Sequence, residues 1–113
     1  MTSDYTRYYI DAYNIQRYED DDGLPHRLDG PAIIYAGGDQ MWWFHGLKHR
    51  IGGPATTMAS GIMFWWEYGQ RHRLDGPACQ YGWHNEWYYR GQQLSHVHSQ
   101  AEFERYLKLK AFW

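Results

Sequence analysis

The apolar and polar positions of the chain form short β-compatible runs broken by small turn residues. Mid-chain, Ala55-Thr56-Thr57-Met58 and Ile62-Met63-Phe64-Trp65-Trp66-Glu67 flank Ala59-Ser60-Gly61, the arrangement of a hairpin. A third short segment follows at 70–74. The equivalent turns are Gly37-Gly38 before it and Gly82-Trp83-His84 after it, where glycine reaches positive φ at no steric cost. After Leu94 the pattern changes. Ser99-Gln100-Ala101-Glu102 has capping-box spacing, and Phe103, Tyr106, Leu107 and Lys110 follow at helical intervals, which predicts a helix over 99–112. Glu102 and Glu104 near its start and Lys108 and Lys110 near its end complement the helix dipole. Its apolar stripe is expected to cover the last open sheet edge.

The runs repeat. His26-Arg27-Leu28-Asp29-Gly30-Pro31-Ala32, His49-Arg50-Ile51-Gly52-Gly53-Pro54-Ala55 and His72-Arg73-Leu74-Asp75-Gly76-Pro77-Ala78 lie 23 residues apart, as do Gly23, Gly46 and Gly69, and Trp42-Trp43 with Trp65-Trp66. Gly91 follows Gly76 by 15 residues where Gly69 follows Gly53 by 16, so the last unit has lost one residue. Ile10 falls one period before Ile33, while Asp20 falls where Trp43 and Trp66 stand, marking the first unit as degenerate. Terminal units of repeat arrays are usually atypical because one side lacks a neighbour. Proline fixes φ and donates no ladder hydrogen bond, so Asp-Gly-Pro reads as a strand-start turn in which Asp caps nearby amides; Gly52 removes that cap from the middle copy. The expected fold is an all-β array of about four antiparallel hairpins in a twisted sheet, closed by one C-terminal helix. Its single domain comprises a degenerate first unit (1–25), hairpin repeats (26–98) and the helix (99–112).

Composition sharpens this picture. Leu, Ile and Val number seven, six and one against 22 aromatic residues, so rings must supply the core, each burying roughly 150–250 Å². The net charge of −2 argues against binding double-stranded nucleic acid by neutralising many phosphates. Glu19-Asp20-Asp21-Asp22 reads as a solvated turn. No apolar run approaches a membrane span or a signal peptide, and Cys79 stands alone, which together lead us to expect a cytoplasmic protein.

Candidate chemistry is sparse. Arg27, Arg50 and Arg73 recur with His26, His49 and His72 and form a ladder that would clamp a small anionic ligand such as a nucleotide. A purely structural role is the alternative: each Arg stacks on a neighbouring ring and pairs with Asp29 or Asp75. Successive histidines would lie roughly 10 Å apart, too far to share a metal. His96, His98 and His84 match no recognisable ligand spacing, so neither metal nor cofactor is assigned. Ser60 belongs to a turn, Ser99 caps the helix and Cys79 belongs to a strand, so no nucleophile is singled out and the chain is expected not to be an enzyme. Trp42, Trp43, Trp65, Trp66, Tyr88 and Tyr89 are the other candidates. Adjacent rings point to opposite faces, giving each face an aromatic stripe of the residue types that dominate binding hot spots.

The His-Arg-x-x-Gly-Pro-Ala units joined to Trp-Trp or Tyr-Tyr pairs, together with Gly23-Leu24-Pro25-His26-Arg27 and the closing stretch from Glu102 to Phe112, resemble MORN repeats, in particular a variant found in small bacteriophage and bacterial proteins. The likeness covers roughly residues 14–112. It implies a β-hairpin array used for protein scaffolding and, from the phage setting, an accessory protein that modulates a host factor in defence or nucleic-acid processing, within the host cytoplasm. It carries over no catalytic residue. The expected function is therefore non-catalytic binding of a host protein, with a small anionic ligand or homo-oligomeric self-assembly as alternatives.

Overall fold

The computed structural model describes residues 5–112. Fourteen short strands precede one helix: β1 (Arg7–Ile10), β2 (Gln16–Glu19), β3 (Ile33–Ile34), β4 (Gln40–Met41), β5 (Trp43–Phe44), β6 (Leu47–Lys48), β7 (Thr56–Thr57), β8 (Met63–Phe64), β9 (Trp66–Glu67), β10 (Gln70–Arg71), β11 (Cys79–Gln80), β12 (Asn85–Glu86), β13 (Tyr88–Tyr89), β14 (Gln92–Gln93) and α1 (Gln100–Lys110). Eight of them form one antiparallel sheet in the order β1-β2-β3-β4-β7-β8-β11-β12. The expected hairpin array is the observed one, four hairpins paired edge to edge and ended by one helix.

Each full unit holds a second, smaller hairpin. The long run predicted from Ile62 to Glu67 breaks at Trp65, and the third segment returns as β10 to pair with β9, Gln70 opposite Glu67. Hairpins β5-β6 and β13-β14 repeat this arrangement. Their two-residue turns are His45-Gly46, Tyr68-Gly69 and Arg90-Gly91, with φ of 44° and 83°, 48° and 83°, and 47° and 86°. Positive φ at both central residues is the signature of the type I′ turn, whose twist matches that of its strands.

Both irregularities of the period lie in turns. Tyr35 N–H donates to Asp39 and Met58 to Ile62, but Tyr81 donates to His84, so the last unit lost its residue from the large-hairpin turn. The first unit instead carries an extra residue in the loop 20–24, where Asp20 N–H donates to Leu24 C=O. Tyr9, opposite Arg17, therefore holds the place of Ile33, opposite Met41, and Tyr8 holds that of Ala32; the expected match of Ile10 to Ile33 is off by one.

The core is thin and runs along the array. Ala32, Ala55 and Ala78 are fully buried where neighbouring units abut, and Ile33, Thr56 and Cys79 follow them on the strands. Helix α1 is capped by Ser99, whose hydroxyl accepts from Glu102 N–H, while the Glu102 carboxylate accepts from His98 N–H. The helix closes the array on the side of the small hairpins: Phe103, fully buried, packs with Trp87, Leu94 and Val97. Gln100 ties it down by accepting from the Trp87 indole at 2.9 Å and donating to Leu74 C=O. It thus caps the array, as expected, chiefly through the Trp87 ring. No helix of the described residues is long and apolar enough to cross a membrane.

Candidate functional site

Every position of the heptapeptide has a mechanical task. The guanidiniums of Arg27, Arg50 and Arg73 lie 4.0, 4.0 and 3.9 Å from the ring centroids of Tyr18, Trp42 and Trp65. Each also donates to the proline carbonyl of its own motif, Pro31, Pro54 or Pro77, at 3.2 Å. The other side of each guanidinium rests on the motif glycine: a Cβ at Gly30, Gly53 or Gly76 would stand 2.7, 2.7 or 2.5 Å from the arginine Cζ. Each cation–ring contact contributes about 0.5–2 kcal/mol. Asp29 and Asp75 accept from Arg27 and Arg73 at 3.2 and 2.9 Å, so the aspartate steadies the arginine. The Arg73 bond is the main cause holding the Asp75 carboxyl below its ordinary pKa.

The histidines fasten one unit to the next. Nδ1 of His26, His49 and His72 accepts the backbone N–H of His45, Tyr68 and Arg90, the first turn residue of the following small hairpin, at 2.8, 2.9 and 2.9 Å. Beside each bond the turn glycine donates to the preceding unit, Gly46 to Pro25, Gly69 to Lys48 and Gly91 to Arg71, each at 2.8 Å. Left-handed backbone at a non-glycine residue costs roughly 1–2 kcal/mol, which the histidine bond offsets. An accepting Nδ1 requires the neutral ring with its proton on Nε2. Burial pushes the pKa of His49 and His72 down, in keeping with that state.

The paired rings do face opposite ways. Trp42 and Trp65 meet the arginines on one side, while Trp43, Trp66 and Tyr88 lie with Lys48 and Arg71 on the other. The stripes are partly covered: Trp42, Trp43, Trp65, Trp66 and Tyr89 are half-buried and Tyr88 is buried. The large side chains left in solvent include Leu28, Ile51 and Leu74, 47, 67 and 51 % exposed, one period apart beside the arginines. A cavity of about 330 Å³ opens between the first two of them, floored by Trp42 and Phe44. A second, of about 240 Å³, lies between Gly52 and Leu74 over Trp65 and Glu67.

Several residues differ from their sequence reading. Asp20 lies in the predicted solvated turn yet is buried: Oδ1 accepts from Asp22 and Leu24 N–H, and Oδ2 meets His45 Nδ1 at 2.6 Å. The His45 bond is the main cause lowering its pKa. Its signal was the Asp-x-x-Gly spacing of a side-chain-capped turn, hidden in a run of acids. Lys48 and Arg71, also unassigned from the sequence, sit one period apart. Cys79 is fully buried and its thiol is pushed up to about 11 by burial, which suits its strand role. His84 and His98 line one shallow hollow, and no group of three or more His, Cys, Asp or Glu among the described residues is placed to hold a metal.

Compared with known proteins, the chain matches no family model, no curated protein and no solved structure.

Proposed function

We propose that the chain is a non-catalytic, MORN-like binding module that engages a protein partner along Leu28, Ile51 and Leu74 and the aromatic-floored grooves between them. The observation that carries this reading is the ladder itself. In a chain with only 14 Leu, Ile and Val residues, three stand in solvent at the same repeat position. A large aliphatic side chain held outward at regular intervals beside aromatic-floored grooves on an ordered scaffold suits recognition, since exposed apolar surface with a regular layout marks interaction sites. The stacked arginines fix the position of the ladder, because Leu28, Ile51 and Leu74 each follow one directly in sequence.

The non-catalytic reading is supported by the roles already taken by the reactive groups. Cys79 is buried, Ser99 caps the helix, and the three motif histidines use Nδ1 to bind backbone. The arginine forks bond inside their own units, which weighs against an anionic ligand along that ladder. The phage setting of the resemblance makes a bacterial host protein the partner to seek.

The test is quantitative capture from bacterial lysate by the native chain and by Ile51→Glu, with melting temperature as the control for folding. We expect one protein to be retained by the native chain and lost from the variant at unchanged melting temperature. Equal retention by Ile51→Glu, or nothing retained by the native chain, would overturn the reading.

A further inference from the structure

On the opposite side of the small hairpins a cavity of about 270 Å³ is lined by Trp43, Gly46, Leu47, Lys48, Trp66 and Gly69. We propose that this cavity takes a carboxylate side chain from an acidic segment of a protein partner, held by the Lys48 ammonium. The proposal rests on the binding-module reading for its partner but uses a different face and different residues.

Lys48 Nζ lies 5.6 Å from the ring centroid of Trp43 and 5.1 Å from that of Trp66, and it makes no hydrogen bond or ion pair with any described residue. The arginines of the opposite face contrast with it, since Arg27 and Arg73 each pair with an aspartate. The charge acting on Lys48 has the same sign: Arg71, one unit on, lies 5.1 Å from the Trp66 centroid and 5.4 Å from that of Tyr88, and donates to the Tyr88 hydroxyl at 3.1 Å. Burial first, and Arg71 second, push the Lys48 pKa down. Two half-buried cations therefore share one face with no acid among the described residues pairing either of them, a disposition that an incoming anion relieves.

The repeat does not require these cations. The same position is Pro25 in the first unit and Gln93 in the last, and the backbone bond from the following turn glycine forms equally well at Pro25, Lys48 and Arg71. A feature needed for stacking would recur, as the histidines and arginines do. The chemistry favours carboxylate over phosphate, because the cavity offers one ammonium, a point charge, whereas phosphate is gripped best by guanidinium forks; Arg71, the guanidinium on this face, does not line the cavity and donates to the Tyr88 hydroxyl.

The experiment is titration of the whole chain with a hexaglutamate peptide at low ionic strength, followed by tryptophan fluorescence. Binding should weaken with salt, fall about tenfold or more in Lys48→Gln at unchanged melting temperature, and persist in Lys48→Arg and in Lys108→Gln on the helix. No binding by the native chain, or binding by Lys48→Gln equal to native, would overturn the proposal. So would saturable binding of inorganic phosphate that depends on Lys48 and displaces the peptide, since the site would then be one for phosphate. Ile51→Glu should bind the peptide as the native chain does, so loss of lysate capture at Ile51 and loss of peptide binding at Lys48 are separate results.

Discussion

An inner unit and the last unit differ most tellingly at one position. His26, His49 and His72 each send N–H to the aromatic residue eight or seven places before, Tyr18, Trp42 and Trp65, and Leu94 does the same to Trp87. The backbone course is shared, yet the side chain is imidazole in three copies and isobutyl in the fourth. Where another small hairpin follows, its strained turn presents an N–H that needs an acceptor, and histidine supplies one. Where the helix follows, the neighbour is Phe103 and Val97, and leucine is the matching surface. The residue at this position is chosen by what comes next, not by the unit it belongs to.

Removing the apolar partner of the last unit should be the most damaging change. Phe103→Ala is expected to cost about 3–5 kcal/mol, read as a fall in the denaturant midpoint, because it empties a fully buried site shared by Trp87, Leu94 and Val97. Making an inner unit resemble the last one should cost less. His72→Leu keeps the bulk but leaves the Arg90 N–H without its acceptor, and is expected to lower stability by about 1–3 kcal/mol. Acid is the mildest intervention and reaches the fastening histidines. For His49 and His72 the folded pKa lies below the unfolded 6.5, so the unfolded chain binds more protons in that range. Their contribution is complete above 6.5 and is lost as pH falls below it. The melting temperature should therefore decline between about pH 7 and pH 5, above the window of Asp20 and Asp75, whose reference is 3.8. A melting temperature flat across that range would show that the histidine bonds carry no stability.

The period, the large-hairpin turns and the helix were legible in the sequence because glycine, proline and the Ser99-to-Glu102 spacing mark them directly. The small hairpins were not. Strands of two residues show no alternation, and His45-Gly46, Tyr68-Gly69 and Arg90-Gly91 lack the Asn or Asp that usually announces a type I′ turn. The stacking role of the arginines followed from the motif, since ring and cation recur in all three copies and the aspartate in two of them. The role of the histidines did not, because their partner is a backbone amide 18 or 19 residues away. The partial cover that cations give the Trp42, Trp43, Trp65 and Trp66 rings was hard to foresee, because long cationic side chains are counted as polar when a sequence is read, though most of their atoms are hydrocarbon.

All the junctions between inner units use the same parts, so nothing within a unit records how many units there are. At the far end Leu94 and the helix replace the fastening histidine; at the near end Arg7-Tyr8 stands where inner units carry Pro-Ala, so a tyrosine takes the place of the fully buried Ala32, Ala55 and Ala78. The fastening is thus a property of each junction, made once for every small hairpin that follows a histidine.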